Sequence, residues 1–165
     1  GFGQERVSED ELTESENRYY YQGKLFNGIS ELYDEHGGLW KEWNYKDGQR
    51  NGLYKRWSES GRLKHEGNYK EGQLNGVFKV SHRSSVGGQL RYEWNYKDGK
   101  RNGLGEEWYE SGHPKSEGDY KNDEKEGSWH EYDEVGYVKQ TSKYKDGEII
   151  SKNCWDEDGN KEECK

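Results

Sequence analysis

Four glutamates recur at one position, Glu42, Glu66, Glu93 and Glu117, each three residues ahead of a tyrosine. Lys46, Lys70, Lys97, Lys121 and Lys145 follow the recurring tyrosines by one residue. A file of carboxylates is the material of a divalent-metal site or of the acid and base of a glycoside hydrolase. The first question is therefore how far apart the backbone holds them. The other groups able to do chemistry are scattered. His36, His65, His82, His113 and His130 share no ligand spacing such as HExxH. The glycines fall in turns and form no phosphate loop, and no serine sits in a G-x-S-x-G elbow. Cys154 and Cys164 have no basic partner in frame to activate a thiol.

What positions the carboxylates is a repeat. Tyr21, Tyr45, Tyr69, Tyr96, Tyr120 and Tyr144 follow one another at steps of 24, 24, 27, 24 and 24 residues. A glycine stands seven residues after each of the first five, and another eight residues before each of the last five. The long step comes from "SHRSSVGG", residues 81–88, which is three residues longer than its equivalents. After Tyr144 the frame decays, with Ser151 where glycine is expected. Each unit holds two turn signals, such as "KDGQRNG" and "SESG", and two runs in which apolar and polar residues alternate.

Each unit is thus predicted to be a β-hairpin, and the hairpins to stack as a row. The fold class is all-β, an elongated, single-layer, twisted antiparallel β-meander of tandem 24-residue hairpins. One face carries Leu39, Trp43 and Tyr45 and their equivalents, such as Leu90, Trp94 and Tyr96, and the first runs add Tyr33, Trp57, Trp108 and Tyr132. No hairpin buries these rings alone, but a row of them does. Trp43, Gly67, Trp94 and Gly118 alternate at one position, so large and small residues are expected to interleave.

Equivalent carboxylates then lie two strands apart, about 9.5 Å. That is too far to share a metal ion, and a hydrolase pair at that spacing would have to recur in every unit. The file reads instead as a solvated face with lysine or arginine partners across the strands. No catalytic residue, metal or cofactor is predicted, and the chain is not expected to be an enzyme.

Composition sets the remaining bounds. Charged residues make up 36% of the 165 and the net charge is −8, a balance that alone would mean disorder. The 14 tyrosines and 7 tryptophans oppose that reading, since each ring buries roughly 150–250 Å². Acidic charge without a basic cluster disfavours nucleic acid and anionic membranes, and no apolar run reaches the ~20 residues of a membrane helix. The sequence opens Gly1-Phe2-Gly3 without methionine. This predicts a trimmed product that has lost its native start, a signal peptide included, and favours export over the cytoplasm. Cys154 and Cys164 fit a disulfide in an oxidising compartment and fit two free thiols equally well. Residues 1–18 are expected to be an acidic lead or cap, with Ser8 and Glu11 spaced as a capping box. Residues 19–152 form the array, and 153–165 an irregular acidic cap.

The pattern Y-K-D-G-x-x-x-G-x-x-x-x-W-x-x-x-G-x-L, as in residues 45–63, resembles the MORN-repeat variant found in tandem in many bacterial proteins. These include the YwqK-type antitoxins of toxin–antitoxin systems. The resemblance spans about residues 19–152. It departs at "VFKVSHRSSVGG" in the third unit, which lacks the aromatic, and at "CWDEDG" in the last. It implies a sheet that acts as a binding or scaffolding surface, and the antitoxin label implies an unidentified protein partner. The candidate binding residues are the rings Trp43, Trp57, Trp94 and Trp108, together with His82 and Arg83 in the insertion, since loops that interrupt a repeat often carry binding. The competing readings are a carbohydrate-binding surface, with tryptophan and tyrosine stacked on sugar rings, and a structural spacer.

Overall fold

The computed structural model describes residues 4–82 and 88–164. The chain divides into two compact units, Gly1–Phe78 and Lys79–Lys165. The first begins with β1 (Arg6–Ser8), a 3-10 turn (Glu9–Glu11) and three short strands, β2 (Thr13–Ser15), β3 (Arg18–Tyr21) and β4 (Lys24–Leu25). The repeat strands follow: β5 (Gly28–Tyr33), β6 (Leu39–Lys46), β7 (Gln49–Trp57), β8 (Leu63–Lys70) and β9 (Gln73–Ser81), whose last three residues belong to the second unit. The strand order is β1-β5-β6-β7-β8-β9, with β2-β3-β4 as a separate small sheet. The second unit runs β10 (Leu90–Lys97), β11 (Lys100–Trp108), β12 (Pro114–Lys121), β13 (Glu124–Tyr132), β14 (Val138–Lys145), β15 (Glu148–Trp155) and β16 (Lys161–Glu162), each strand beside the next. Each unit is therefore an antiparallel meander of hairpins, the all-β architecture that the repeat predicts.

The turns explain the punctuation. Asp47-Gly48 and Asp98-Gly99 place both central residues at positive φ, 50° and 73° in the first and 50° and 80° in the second. This is the type I′ geometry whose twist matches that of the flanking strands. The turn also ties hairpin to hairpin. The Gly48 N–H donates to the Phe26 carbonyl at 2.9 Å, Gly72 to Arg50 at 2.9 Å and Gly147 to Lys125 at 3.1 Å. At the opposite ends of the strands an aspartate, Asp34, Asp133 or Asp156, closes three of the described turns. The Asp133 carboxylate accepts the Val135 and Tyr137 N–H groups at 3.0 and 2.8 Å.

The core is a ladder of rings and gaps. Register sets Ser30 opposite Trp43, Trp43 opposite Tyr54 and Tyr54 opposite Gly67 in the first unit. In the second unit the row runs Trp94, Gly105, Gly118, Trp129, Ser142. Large and small residues interleave as predicted, and the gaps are filled by rings. A Cβ on Gly67 would meet the Phe78 ring at 2.4 Å, and one on Gly105 the Tyr120 ring at 2.9 Å. Trp43 stacks on Tyr54 at 3.9 Å and meets Tyr69 edge-on at 5.0 Å. Trp129 meets Tyr120 and Tyr144 edge-on at 5.0 and 6.2 Å. Such contacts contribute about 0.5–1.5 kcal/mol each beyond burial.

One expectation is corrected. The first-run rings of the core are Tyr54, Phe78 and Trp129, two residues after the turn glycine, and not the set Tyr33, Trp57, Trp108 and Tyr132. Side chains alternate along a strand, so Trp57, three residues beyond Tyr54, lies on the other face. Tyr33 and Tyr132 demonstrate the same point, since their hydroxyls bond to Glu31 and Glu117 of the charged face.

The ends are occupied as well. β1 pairs in parallel with β5, placing Val7 opposite Ser30, where it is buried beside Phe26 and Tyr45 with Leu12 and Tyr19 packed around them. The Ser8 N–H donates to the Glu11 carboxylate at 2.9 Å. Cys154 and Cys164 are bonded to each other, Cα atoms 5.3 Å apart, fastening the segment that follows β15.

Candidate functional site

The six sequence-derived candidates separate. Trp43 is 7% exposed and enclosed, with Tyr54 stacked on it and the Arg50 guanidinium 4.0 Å from its ring centre. Trp94 is half-buried, stacked on Tyr92 at 4.3 Å, with Arg101 at 5.0 Å. Both belong to the ladder. Trp57 and Trp108 are also half-buried, but stand on the charged face by strand alternation. His82 is largely enclosed, its Nε2 2.8 Å from the Trp108 carbonyl and its Nδ1 3.8 Å from Glu110. Arg83 lies outside the described residues.

The sequence pattern also missed a recurring cover on the ladder. Arg50, Arg101 and Lys125 share one repeat position, two residues before the glycine, and each sits over two rings. Arg101 lies 4.1 Å from Tyr120, and Lys125 lies 4.0 Å from Trp129 and 5.1 Å from Tyr144. Phe26 does the same with its own ring against Tyr21 and Tyr45. The residue type varies because a cation or an apolar ring can each cover an aromatic face, which hides the position from a search for identical residues.

The charged face holds the carboxylates. In the first unit Arg6 bridges Glu31 and Glu42, reaching Glu42 at 3.1 Å. Lys55 stands opposite both Glu42 and Glu66, 3.9 Å from the latter. This is the basic cross-strand partner that the spacing called for. The second unit differs. Glu93 faces Glu106, and Glu106 faces Glu117, on successive strands. The interval of about 9.5 Å thus has a third carboxylate in its middle, where a lysine or arginine was expected. Like charges directly opposed are destabilising. Burial, and then the charges of Glu93 and Glu117, push the Glu106 carboxyl above its ordinary range. Lys79 reaches Glu93 at 3.1 Å at one end of the row. At the other, the Tyr132 hydroxyl donates to Glu117 at 2.6 Å, and this bond pushes the Tyr132 phenol up to about 12. Among the described residues no three His, Cys, Asp or Glu side chains converge to hold a metal ion.

In each unit the charged face therefore combines acids with rings at one repeat position, five residues after the turn glycine: Tyr33 and Trp57 in the first, Trp108 and Tyr132 in the second. Tyr33 is 50% exposed, and its hydroxyl donates to Glu31 at 2.9 Å, which raises its pKa.

Comparison with known families agrees with the repeat. Residues 26–47, 50–71 and 101–122 match the family model described as MORN repeat variant. The matched segments open on Phe26, Arg50 and Arg101, the residues that cover the rings. No curated protein matches the chain.

Proposed function

We propose that the chain is a non-catalytic repeat scaffold that binds a partner protein through the charged faces of its units, in an antitoxin-like manner and in an exported setting. The observation that carries this reading is the division of the aromatics between two faces. The ladder rings are enclosed by one another and by Arg50, Arg101 and Lys125. Trp57 and Trp108 stand instead on the charged face, half-exposed, and tryptophan is among the residues that most often anchor interface hot spots. A sugar platform would need open ring faces, which Trp43 does not offer. The Cys154–Cys164 bond supports an oxidising compartment. The test is capture from the source cell's extract with the wild-type chain and the W57A/W108A variant as parallel baits, identifying both proteins and glycans.

A further inference from the structure

A row of bases crosses the ladder side of the first unit. Register places Lys41 opposite Arg56 and Arg56 opposite His65, on β6, β7 and β8. Each stands two residues from a ladder position, Trp43, Tyr54 or Gly67, and so shares its face. Lys41 and Arg56 converge on one ring, 5.4 and 5.1 Å from the centre of Trp40. Lys41 reaches Glu9 at 3.4 Å, but among the described residues no carboxylate pairs with Arg56. Burial, and then the charges of Arg56 and Lys64, push the His65 imidazole below its ordinary range. The fold does not call for these cations, because the equivalent row of the second unit is Tyr92, Glu107 and Ser116.

The Glu93–Glu106–Glu117 row of the second unit is its counterpart. It too takes one residue from each of three successive strands, so both rows step at the strand spacing, about 4.8 Å. Like charges directly opposed are destabilising, and neither row answers that at its centre. Lys79 attends Glu93 at one end, but among the described residues no base pairs with the half-buried Glu106. A tryptophan stands near each centre, Trp40 against Arg56 and Trp108 two residues beyond Glu106 on the same face.

We propose that the Lys41–Arg56–His65 row is a docking surface for the Glu93–Glu106–Glu117 row of a second copy of this chain, with Arg56 set against Glu106. Equal spacing lets three acids meet three bases at once, and the nearby tryptophans supply the apolar contact that anchors an interface. The two surfaces differ, so the contact is head-to-tail, and a pair of copies still offers one free row of each kind. The inference goes beyond the charged-face reading, since it adds the ladder side of the first unit. It is tested on the purified chain alone, so its failure leaves that reading standing.

The experiment is sedimentation velocity over a dilution series, with circular dichroism confirming that each variant is folded. The wild type is expected to sediment faster as its concentration rises. Arg56→Glu and Glu106→Arg each set like charges at the centre and are expected to weaken the association at least about tenfold. Both changes have a precedent in this fold, since Glu107 stands at the equivalent of Arg56 and Lys55 at the equivalent of Glu106. The double variant Arg56→Glu/Glu106→Arg swaps the pair and is expected to restore the association. Lys152→Glu changes the net charge as Arg56→Glu does, at an exposed position in neither row, and is expected to leave it unchanged. A wild type that sediments alike at every concentration, or a single variant that associates as the wild type does, would overturn the proposal. So would a double variant that stays apart, or a loss in Lys152→Glu equal to that in Arg56→Glu.

Discussion

The indole of Trp129 lies so close over Gly118 that a Cβ on the glycine would come within 2.4–2.5 Å of three ring atoms. The two residues face each other across β12 and β13, and Trp129 is 3% exposed. Gly118 is therefore required for space. Gly118→Ala is expected to cost about 1–3 kcal/mol through overpacking, read as a lower urea midpoint. Gly127 provides the contrast. It sits at φ +68° with nothing near its would-be Cβ, so Gly127→Ala is expected to cost only the backbone strain, roughly 1–2 kcal/mol. Replacing Trp129 by leucine should relieve Gly118→Ala and leave the Gly127→Ala cost unchanged.

Asp123 is held below the ordinary carboxylate range, first by the backbone bond from Arg101 and then by its side chain. A depressed folded pKa contributes stability above the unfolded value, and that stability is lost as pH falls through the folded one. Asp123→Asn, which keeps a residue tolerant of positive φ, should lower stability at pH 7. The loss should be about 0.2–1 kcal/mol, the range of a solvent-screened pair. The difference from wild type should shrink steadily in urea titrations taken down into the acid range. A constant difference would contradict the assignment.

Glu106 has the opposite sign. Its folded pKa is raised, so the folded state binds the proton more tightly, and stability falls as pH rises through that window. Glu106→Gln is expected to raise the urea midpoint at pH 7 and to flatten the loss of stability between the acid range and neutrality. The matching change at Glu66, which faces Lys55, should not stabilise.

Tyr132 should titrate late. Its hydroxyl donates to Glu117, and the phenol is pushed up to about 12. Stability from this bond is present below the ordinary tyrosine range and is lost as pH rises through the folded value. Ultraviolet titration of the wild type should show an ionisation near the top of the range. Glu117→Gln should move it down toward its neighbours, and Tyr132→Phe should remove it.

The hairpins, their turns and the alternation of large and small residues were legible because each is a local requirement. Positive φ at Asp47-Gly48 and an empty site at Gly67 leave residue-type signatures at fixed spacing. The face assignment of Trp57 was misread because "LYKRW" carries apolar residues on both parities. Leu53 and Trp57 outweighed Tyr54, and only register against Trp43 reveals which ring is enclosed. The Glu93–Glu106–Glu117 row was missed for a related reason, since Glu106 comes from the intervening strand and breaks no repeat of its own. Val7 beside Ser30 was not foreseeable, because a parallel strand joined from outside the repeat follows no period.

The central claim is that Trp57 and Trp108 face a partner while the ladder rings hold the fold. The direct measurement is capture from the source cell's extract on matched wild-type and W57A/W108A baits, after circular dichroism has shown both to be folded. The account predicts a protein enriched on the wild type and lost from the variant. Equal retention by the two baits, enrichment of glycan alone, or nothing above background on the wild type would contradict it.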